Sequence, residues 1–408
     1  MWLTSVICTI LMVVAMFGAI QAGAGLIAVW AFARTRSSAP AVLPSVTILK
    51  PVCGDEPLLA EAIQSFCVQD YPCFQLLIGA QDADDPALGV ARQLQARFPA
   101  CDIGIIVDPK LHGPNRKVSN LMNMLAAAKH PVLVISDSDT HVRPDYLMQV
   151  VSALETPGTG LVTTVCAGEP AFAGTAAQLG VMHLSHSFLP GALLAAAIGR
   201  KDCLGGTMAL QRKTLESVGG LGSLVAHLAD DNVLGQRVRQ LGLTIKLAAT
   251  VPVMTVRERS LGAVWQQELR WARTIRALAP VAYGASILQF PLFWALLAML
   301  FSGGGILETA VFLATWVVRF GVTRAIDKGL HGMRARRAMP TPALLLPLRD
   351  VLSAVEIIAS FCGDAVVWRG HAMRADGSDI APPHNRPNAI TAEWLPGQSG
   401  TQATDGAG

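Results

Sequence analysis

Four groups of polar side chains follow one another along this chain in an order that could support group-transfer chemistry. Carboxylates suit acid–base steps and hold hard divalent cations, whereas arginine binds phosphate and tryptophan offers a flat apolar wall. Each group is common by itself, so the order and the elements that position the groups decide the interpretation. The groups are Asp82, the Asp137-Ser138-Asp139 triplet, Asp231 and the Gln267-Glu268-Leu269-Arg270-Trp271 segment.

The paired carboxylates Asp137 and Asp139 follow the uninterrupted apolar run Val132–Ser136. Two carboxylates one residue apart at a strand end can hold a divalent cation, which would bridge a diphosphate. An aspartate-rich turn before Pro144 explains the same residues without any chemistry, because aspartate is a common turn residue. From this motif alone, both interpretations stay open.

Single carboxylates stand at two other predicted element ends. Asp82 ends the second strand, where it can accept hydrogen bonds from a base or ribose, while Asp85 before Pro86 is typical of a helix cap. Asp231 precedes a helical stretch in an Asp-Asp-Asn sequence, and two successive acids exceed what a cap needs. Transfer to a hydroxyl group requires a carboxylate base, and Asp231 is the candidate.

The last group lies on a predicted helix, where its spacing places Gln267, Arg270 and Trp271 on one face. Arginine there could bind phosphate, and tryptophan could contact a sugar or acceptor. A helix at a membrane interface explains neighbours such as Trp265 and Arg273 equally well, but explains the motif in this order less well.

Alternating strand and helix patterns predict an α/β domain with a parallel sheet covered on both faces. On such sheets ligands bind beyond the carboxyl ends of the strands, where Asp82 and Asp137 both stand. The predicted strands are Val46–Val52, Phe74–Gln81, Asp102–Val107, Val132–Ser136 and Gly160–Val165, and the predicted helices include Leu58–Gln69, Ala87–Arg97 and Val118–Lys129.

The composition indicates a membrane protein, since 52% of the 408 residues are hydrophobic and 15% are charged. Residues 1–33 carry no charge, and spanning a bilayer takes ~20 apolar residues. Arg34 and Arg36 follow this anchor and predict that the chain continues on the cytoplasmic side. A net charge of +3 does not indicate nucleic-acid binding, and the eight cysteines show no zinc-site spacing.

The chain is predicted to divide into the anchor at 1–33, a catalytic domain at 34–278, a membrane region at 279–370 and a disordered tail at 371–408. In the membrane region, Ala279–Phe301 and Ile306–Val322 predict two crossings that return a basic stretch to the cytoplasm. Residues 343–368 contain several charges and predict either a third crossing with its polar side turned into protein or an interfacial helix.

With these motifs in place, the chain resembles nucleotide-sugar glycosyltransferases of the GT-A fold, family 2, and within them the ceramide glucosyltransferase family. A bacterial branch associated with hopanoid lipids is about as similar. The resemblance extends from about Val46 to Gly370. Beyond the groups above, it rests on Leu49-Lys50-Pro51 with Gly54, Gln81-Asp82-Ala83-Asp84-Asp85-Pro86, Asn115-Arg116-Lys117-Val118-Ser119-Asn120-Leu121 and Val367-Trp368-Arg369-Gly370.

The resemblance implies a role for each matching residue. Donor binding would involve Lys50, Asp82, Lys117, Asn120, Asp137 and His186. A packed helix accounts for His186 at least as well as a sugar contact does. A divalent metal, Mg²⁺ or Mn²⁺, would be held by Asp137 and Asp139, the base would be Asp231, and the diphosphate and acceptor would be secured by Gln267, Arg270 and Trp271.

The implied reaction is an inverting transfer of glucose or N-acetylglucosamine from a UDP-sugar to a hydroxyl group of ceramide or a hopanoid. It would take place on the cytoplasmic surface of a membrane, with the bacterial inner membrane expected. A processive polysaccharide synthase shares these motifs but needs more crossings to form a channel. An inactive membrane scaffold is disfavoured because Asp231 and the Asp137–Asp139 pair are present.

Overall fold

The computed structural model describes residues 2–35, 40, 42–336, 338–368 and 371–374. Its strands are β1 (Val46–Pro51), β2 (Phe74–Ala80), β3 (Asp102–Val107), β4 (Val132–Ser136), β5 (Thr140–His141), β6 (Thr159–Thr163), β7 (Ala167–Pro170), β8 (Thr207–Gln211), β9 (Thr244–Leu247), β10 (Val253–Val256), β11 (Ala365–Trp368) and β12 (His371–Arg374). Its helices are α1 (Trp2–Ala33), α2 (Leu59–Cys67), α3 (Ala87–Arg97), α4 (Arg116–Leu125), α5 (Tyr146–Leu154), α6 (Thr175–His183), α7 (Leu189–Ala197), α8 (Arg212–Ser217), α9 (Asp230–Gln240), α10 (Leu261–Leu278), α11 (Pro280–Ala285), α12 (Pro291–Phe301), α13 (Ile306–Gly329) and α14 (Leu346–Ser360).

The main sheet has seven strands in the order β3-β2-β1-β4-β8-β6-β9. Strands β1 to β4 pair in parallel, which confirms the predicted α/β class, but β8 lies antiparallel between β4 and β6. The expectation of a wholly parallel sheet was therefore wrong. Thr207 at the start of β8 pairs with Ser136 at the end of β4, so β8 enters the sheet from the edge where β4 leaves it.

Apolar cores cover both faces of this sheet. Helices α2, α3 and α5 pack on one face around Phe66 and Tyr146, and α4 and α9 pack on the other around Leu121 and Leu234. Strand β4 is buried on both sides, as its uninterrupted apolar sequence predicts. The rigid centre of the sheet thus holds the segment that begins with Asp137.

A small three-stranded sheet continues from this point. Strand β5 follows directly after Asp139 and pairs with β10, and β10 also pairs with β7. Because α10 begins shortly after β10, this sheet places the helix that carries Gln267, Arg270 and Trp271 beside the loop with Asp137 and Asp139.

Among the described residues, three helical segments are long and apolar enough to cross a membrane. They are α1, α13 and the segment Thr175–Ala197, which comprises α6, a π-helical turn and α7. In Thr175–Ala197, 61% of the apolar 18-residue stretch is buried inside the protein, compared with 17% of the corresponding stretch in α1. Helix α1 packs against α7, α12 and α13, so the apolar helices contact one another and the catalytic domain.

The membrane region differs from its prediction in two places. Instead of one straight helix over Ala279–Phe301, the helices before and after Phe290 meet at 65°. Pro291 begins the second helix, and proline disfavours a helical conformation in the residue before it, which explains the break. Helix α14 has 15 residues, or ~22 Å at 1.5 Å each, which is shorter than a bilayer core of ~30 Å.

The polar residues of α14 face protein, as one of the two interpretations of this segment requires. Arg349, Asp350 and Glu356 are all at most 2% exposed. Beyond α14, β11 and β12 form an antiparallel hairpin that includes 371–374, where the sequence predicts the start of a disordered tail. The rest of that tail, 375–408, lies outside the described residues.

Candidate active site

Four carboxylates converge at the carboxyl edge of the parallel strands, where α/β sheets bind ligands. We call Asp137, Asp139, Asp230 and Asp231 the acidic cluster. The first two follow β4, and the last two begin α9. The sequence motifs are thus brought together by the fold, although about ninety positions separate the two pairs in the chain.

Lys117 connects the two halves of the acidic cluster. Its Nζ lies 2.6 Å from Oδ1 of Asp137 and 3.9 Å from Oδ2 of Asp230. Burial lowers the pKa of Lys117, but Asp137 and Asp230 outweigh this effect and raise it, so the side chain stays cationic. Asn115 caps α4 by accepting a hydrogen bond from the backbone of Val118, which fixes the helix turn that carries Lys117.

Asp139 is the least satisfied member of the cluster. Its carbonyl accepts a hydrogen bond from the Thr255 backbone at 3.0 Å, but its Oδ1 is buried and has no hydrogen-bond partner in the described part of the protein. Burial, with Asp137 and Glu56 nearby, raises its pKa to about 7. A buried hard oxygen without a donor fits a divalent cation, so these residues suit the Mg²⁺ or Mn²⁺ that the resemblance implies.

Lys50 supports this loop from beneath. It is 0% exposed, and its Nζ donates to the carbonyls of Asp137 at 2.7 Å and Thr140 at 3.3 Å. The ammonium also lies 4.1 Å from the centre of the Phe66 ring. Burial lowers its pKa to about 7. These contacts position the Asp137–Asp139 loop, and a direct contact between Lys50 and a nucleotide stays a prediction.

Asp231 lies in the first turn of α9 and is half-buried. Its Oδ1 accepts a hydrogen bond from the Asn232 backbone at 2.7 Å. A Cβ placed on Gly205 would lie only 3.0 Å from Oδ2, so the glycine leaves this oxygen room. Burial first, and then the charge of Asp230, raise the pKa of Asp231 to about 7. A carboxylate titrating near neutral pH is suited to act as a general base.

Helix α10 carries the Gln267, Arg270 and Trp271 side chains, all half-buried. Its start is capped by Ser260, which accepts a hydrogen bond from the Ala263 backbone. The guanidinium of Arg270 lies 5.9 Å from the Trp271 ring centre. The Trp271 ring packs against an apolar cluster that includes Val256 of β10, and it stacks on His183 with ring centres 6.0 Å apart.

The same helix contains a buried ion cluster that sequence reasoning missed. Arg349 of α14 places Nη1 3.0 Å from Oε1 of Glu268, and its Nη2 lies 2.8 Å from the other oxygen of Glu268 and 3.0 Å from Glu356. We call Glu268, Arg349 and Glu356 the arginine cluster. His183 and the two glutamates have the spacing of a metal site, but the guanidinium already contacts both carboxylates, so a metal does not fit.

The sequence contains a signal for the arginine cluster and for a further carboxylate that sequence reasoning missed, Glu56. Arg349 is a strong cation in a largely apolar helix that also carries Asp350 and Glu356, and a buried cation demands a partner. Glu56 follows β1 at the ligand-binding edge of the sheet and contacts Arg257 with a nitrogen–oxygen distance of 3.7 Å. Its position after a parallel strand marks it in the same way as Asp82 and Asp137.

Two other predicted donor-binding residues are near the end of β2, Asp82 in the loop that follows it and Asn120 on the adjacent helix α4. Asp82 is exposed and accepts a hydrogen bond from the Asp84 backbone at 3.0 Å. Asn120 is 4% exposed and donates to the Gly79 carbonyl at 2.7 Å. Asp85 accepts hydrogen bonds from the backbones of Gly54 and Ala87, which confirms its predicted capping role.

His186 lies outside the acidic cluster. It is 4% exposed in the π-helical turn, and its Nε2 is 3.0 Å from Oδ1 of Asp327 in α13. Its carbonyl accepts hydrogen bonds from Arg319 at 3.2 Å. These contacts fit a histidine packed within a helix, but its buried Nδ1 has no hydrogen-bond partner among the described residues. A role in sugar binding stays a prediction.

Comparison with known proteins places the chain in a family. The sequence profile of glycosyl transferase family 21 matches residues 10–380, and because this covers more than half of the chain, the chain belongs to that family. Ceramide glucosyltransferase 3 of Caenorhabditis elegans is 23% identical over 351 residues, covering 84% of this chain and 75% of the relative. Ceramide glucosyltransferase of Komagataella phaffii is 36% identical over 119 residues, covering 28% and 23%.

Solved structures give a weaker likeness. A mannosyltransferase from Pyrobaculum calidifontis in complex with GDP-Man and Mn²⁺ is 18% identical, covers 85% of this chain and 99% of its own, and has a TM-score of 0.47. Glucosyl-3-phosphoglycerate synthase from Mycobacterium tuberculosis in complex with Mn²⁺ and UDP is 18% identical, covers 57% and 78%, and has a TM-score of 0.35. The resemblance to ceramide glucosyltransferases is confirmed by the family profile and the relatives, and the chain is a glycosyltransferase.

Proposed function

We propose that this member of glycosyl transferase family 21 transfers glucose or N-acetylglucosamine from a UDP-sugar to the hydroxyl group of a membrane lipid, ceramide-type or hopanoid, with inversion at the sugar. The observation that carries the proposal is Asp231, a half-buried carboxylate with a pKa of about 7 beside an acidic cluster with an unsatisfied oxygen. The relatives named above are ceramide glucosyltransferases, which favours a lipid acceptor.

Asp231 is the proposed base. In its deprotonated form it takes the proton from the lipid hydroxyl group while that oxygen attacks the sugar. A carboxylate with an ordinary pKa near 4 would be a weaker base, so the raised pKa of Asp231 helps this step. Lys117 lies next to Asp230 and partly offsets the negative charge that Asp230 adds beside Asp231.

The donor diphosphate is proposed to bind against the other half of the cluster. A divalent cation held by Asp137 and Asp139 would neutralise negative charge on the diphosphate as it leaves. Lys117 and Arg270 supply further positive charge on this side, and Trp271 offers an apolar surface for the acceptor. Lys50 keeps the Asp137–Asp139 loop in place through two backbone carbonyls.

The membrane helices favour a lipid acceptor over a soluble one. Helix α10, which carries Trp271, packs on α14, and α14 packs on α12 and α13. A lipid embedded beside these helices would therefore have its polar end near the catalytic domain. The absence of charge before Arg34 supports an orientation with the catalytic domain in the cytoplasm, at the inner membrane of a bacterium.

Mass spectrometry of lipids tests this proposal. Hosts that make either ceramide or hopanoids would express the chain or its Asp231→Asn variant at equal membrane levels. We expect a new lipid, heavier by one hexose or one N-acetylhexosamine, only with the unmodified chain. A polymer in the membrane fraction would instead identify a polysaccharide synthase, and no new glycolipid in either host from folded protein would refute lipid transfer.

A further inference from the structure

A cavity of about 190 Å³ lies between the end of α7, the loop that follows it and strand β9. None of the residues of the acidic cluster lines it. Its walls are of two chemical kinds, one apolar and one basic. The apolar wall contains Ala192, Ala195 and Ala196 of α7, and the basic side contains Arg200, Lys201 and Lys246.

The basic side of this cavity is not neutralised by the protein. Asp202 pairs with Arg200, with Nε and Oδ2 2.7 Å apart. Lys201 and Lys246 take part in no ion pair or side-chain hydrogen bond across the ranges that the structure covers. Arg239 adds another cation near the rim, because its guanidinium donates to the Lys201 carbonyl. The cavity therefore carries an excess of positive charge and attracts an anion.

The cavity also lies at the level where α1 leaves the membrane. Val29 of α1 belongs to one apolar cluster with Leu193 of α7 and with Leu204 and Leu247, which line the cavity. The last turn of α1 carries Trp30, which is 42% exposed, and tryptophan is typical of the boundary between lipid and water.

We infer that this cavity binds the phosphate headgroup of an anionic glycerophospholipid, with an acyl chain against the alanine side of α7. Lys201 and Lys246 would contact the phosphate, and the exposed Ile198 beside them would face the lipid tails. Basic pockets beside membrane helices bind anionic headgroups in this way. The inference rests on the proposed membrane location but not on the proposed transfer reaction.

The loop that lines this cavity is followed by a residue that borders Asp231, the proposed base. Leu204 is held by Thr163, whose hydroxyl group accepts from the Leu204 backbone at 3.0 Å and donates to its carbonyl at 2.7 Å. The next residue, Gly205, is the one that borders Asp231. A lipid that orders residues 200–204 would thus order the wall of the catalytic site, so we expect anionic lipid to raise kcat more than it changes KM.

Native mass spectrometry of the purified full-length protein tests the inference directly. Phosphatidylglycerol and phosphatidylcholine with identical acyl chains would be added to delipidated protein in detergent, and retained lipid would be counted. We expect phosphatidylglycerol to be retained at least tenfold better. The Lys201→Gln/Lys246→Gln variant should lose this preference, with an unchanged melting temperature as evidence of folding.

A matched variant, Lys129→Gln/Lys213→Gln, removes the same charge at the opposite edge of the sheet and should keep the preference. Equal retention of both lipids by the unmodified protein would overturn the inference, as would an unchanged preference in the Lys201→Gln/Lys246→Gln variant. Displacement of phosphatidylglycerol by millimolar inorganic phosphate would also overturn it, by identifying a site for soluble anions. If the double variant does not fold, Lys201→Gln alone gives the same comparison. Glycolipid synthesis does not enter this readout, so failure of the transfer proposal would be seen separately.

Discussion

The acidic cluster and the arginine cluster contain the same kinds of carboxylate in opposite electrostatic settings. In the arginine cluster, one fully buried guanidinium contacts both Glu268 and Glu356, and the group links α10 to α14. In the acidic cluster, Lys117 contacts two of four carboxylates, and an oxygen of Asp139 has no partner among the described residues. The guanidinium of the arginine cluster joins two helices, whereas four carboxylates around one lysine leave the acidic cluster with capacity to bind a cation or a proton.

This difference predicts opposite responses to mutation. Removing Arg349 from the arginine cluster leaves two carboxylates buried without their cation, which is costly. Removing a charge from the acidic cluster relieves repulsion between carboxylates, so stability should not fall. Activity should fall, because the removed carboxylate has a proposed role in the reaction. Activity and stability measured on the same variants therefore separate the two clusters.

The largest expected effect is the loss of activity on replacing Asp231 by asparagine. The variant has no base for the lipid hydroxyl group, so kcat should fall by about 10²- to 10⁴-fold, the usual contribution of a general base. UDP affinity and the melting temperature should stay close to those of the unmodified protein. Steady-state kinetics and isothermal titration calorimetry measure both quantities. Turnover near the original rate would show that another group is the base, and Glu216→Gln, on an exposed helix, is the matched control.

Arg349→Met should give the largest loss of stability. It leaves Glu268 and Glu356 buried together without a cation, which costs about 3–5 kcal/mol in comparable buried pairs. Thermal unfolding in detergent would show a lower melting temperature, and kcat would fall because α10 is no longer held. Arg349→Lys keeps the charge but loses the fork that contacts both carboxylates, so we expect only partial recovery. An unchanged melting temperature for Arg349→Met would contradict the structural role of the cluster.

A smaller and opposite effect is expected for Asp139→Asn. The amide carries no charge, so metal-dependent UDP binding should weaken by about tenfold, equivalent to ~1.4 kcal/mol. In metal-free protein the same variant should melt at a slightly higher temperature, because it removes a negative charge that burial and the neighbouring Asp137 disfavour. Titration of UDP with and without chelator checks the first part. Equal UDP affinity in both proteins, with and without chelator, would remove the metal role.

The positions of Asp137 and Asp139 in the acidic cluster were predictable because they follow a strand end, whereas Asp230 and Asp231 begin a helix. Once the sequence indicates parallel strands, Asp82 and Asp137 must come to one edge, whatever the side chains between them do. The strands β3 and β4 were predicted with their observed bounds, since uninterrupted or β-branched runs bounded by turns leave little choice.

The arginine cluster could not be predicted, because its members meet only through packing between elements far apart in the chain. The sequence shows that Arg349 needs a partner, but Glu268, Glu356 and Asp350 are all candidates until helix positions are known. The bend at Pro291 was also missed, although proline is the usual cause of such a break. The antiparallel direction of β8 was missed because the direction of a strand depends on how the preceding helices pack, which the local sequence pattern does not encode.

The smallest expected effect is a difference between the two clusters in how they respond to pH. Asp139 and Asp231 both have pKa values raised to about 7. Loss of the proton from the base Asp231 should by itself raise activity about tenfold between pH 6 and pH 8. Stability should change in the other direction. A carboxyl group with a raised pKa in the folded state stabilises that state below its ordinary pKa of about 4, and this contribution is lost as pH rises through about 7.

Metal-free protein should therefore melt at a higher temperature at pH 5.5 than at pH 8, and Asp139→Asn should reduce this difference. Arg349→Lys should leave it in place, because the arginine cluster does not contain Asp139 or Asp231. A pH dependence of the melting temperature that disappears with Arg349→Lys but survives Asp139→Asn would show that the titrating charge belongs to the arginine cluster. The roles assigned to the two groups of carboxylates would then have to be exchanged.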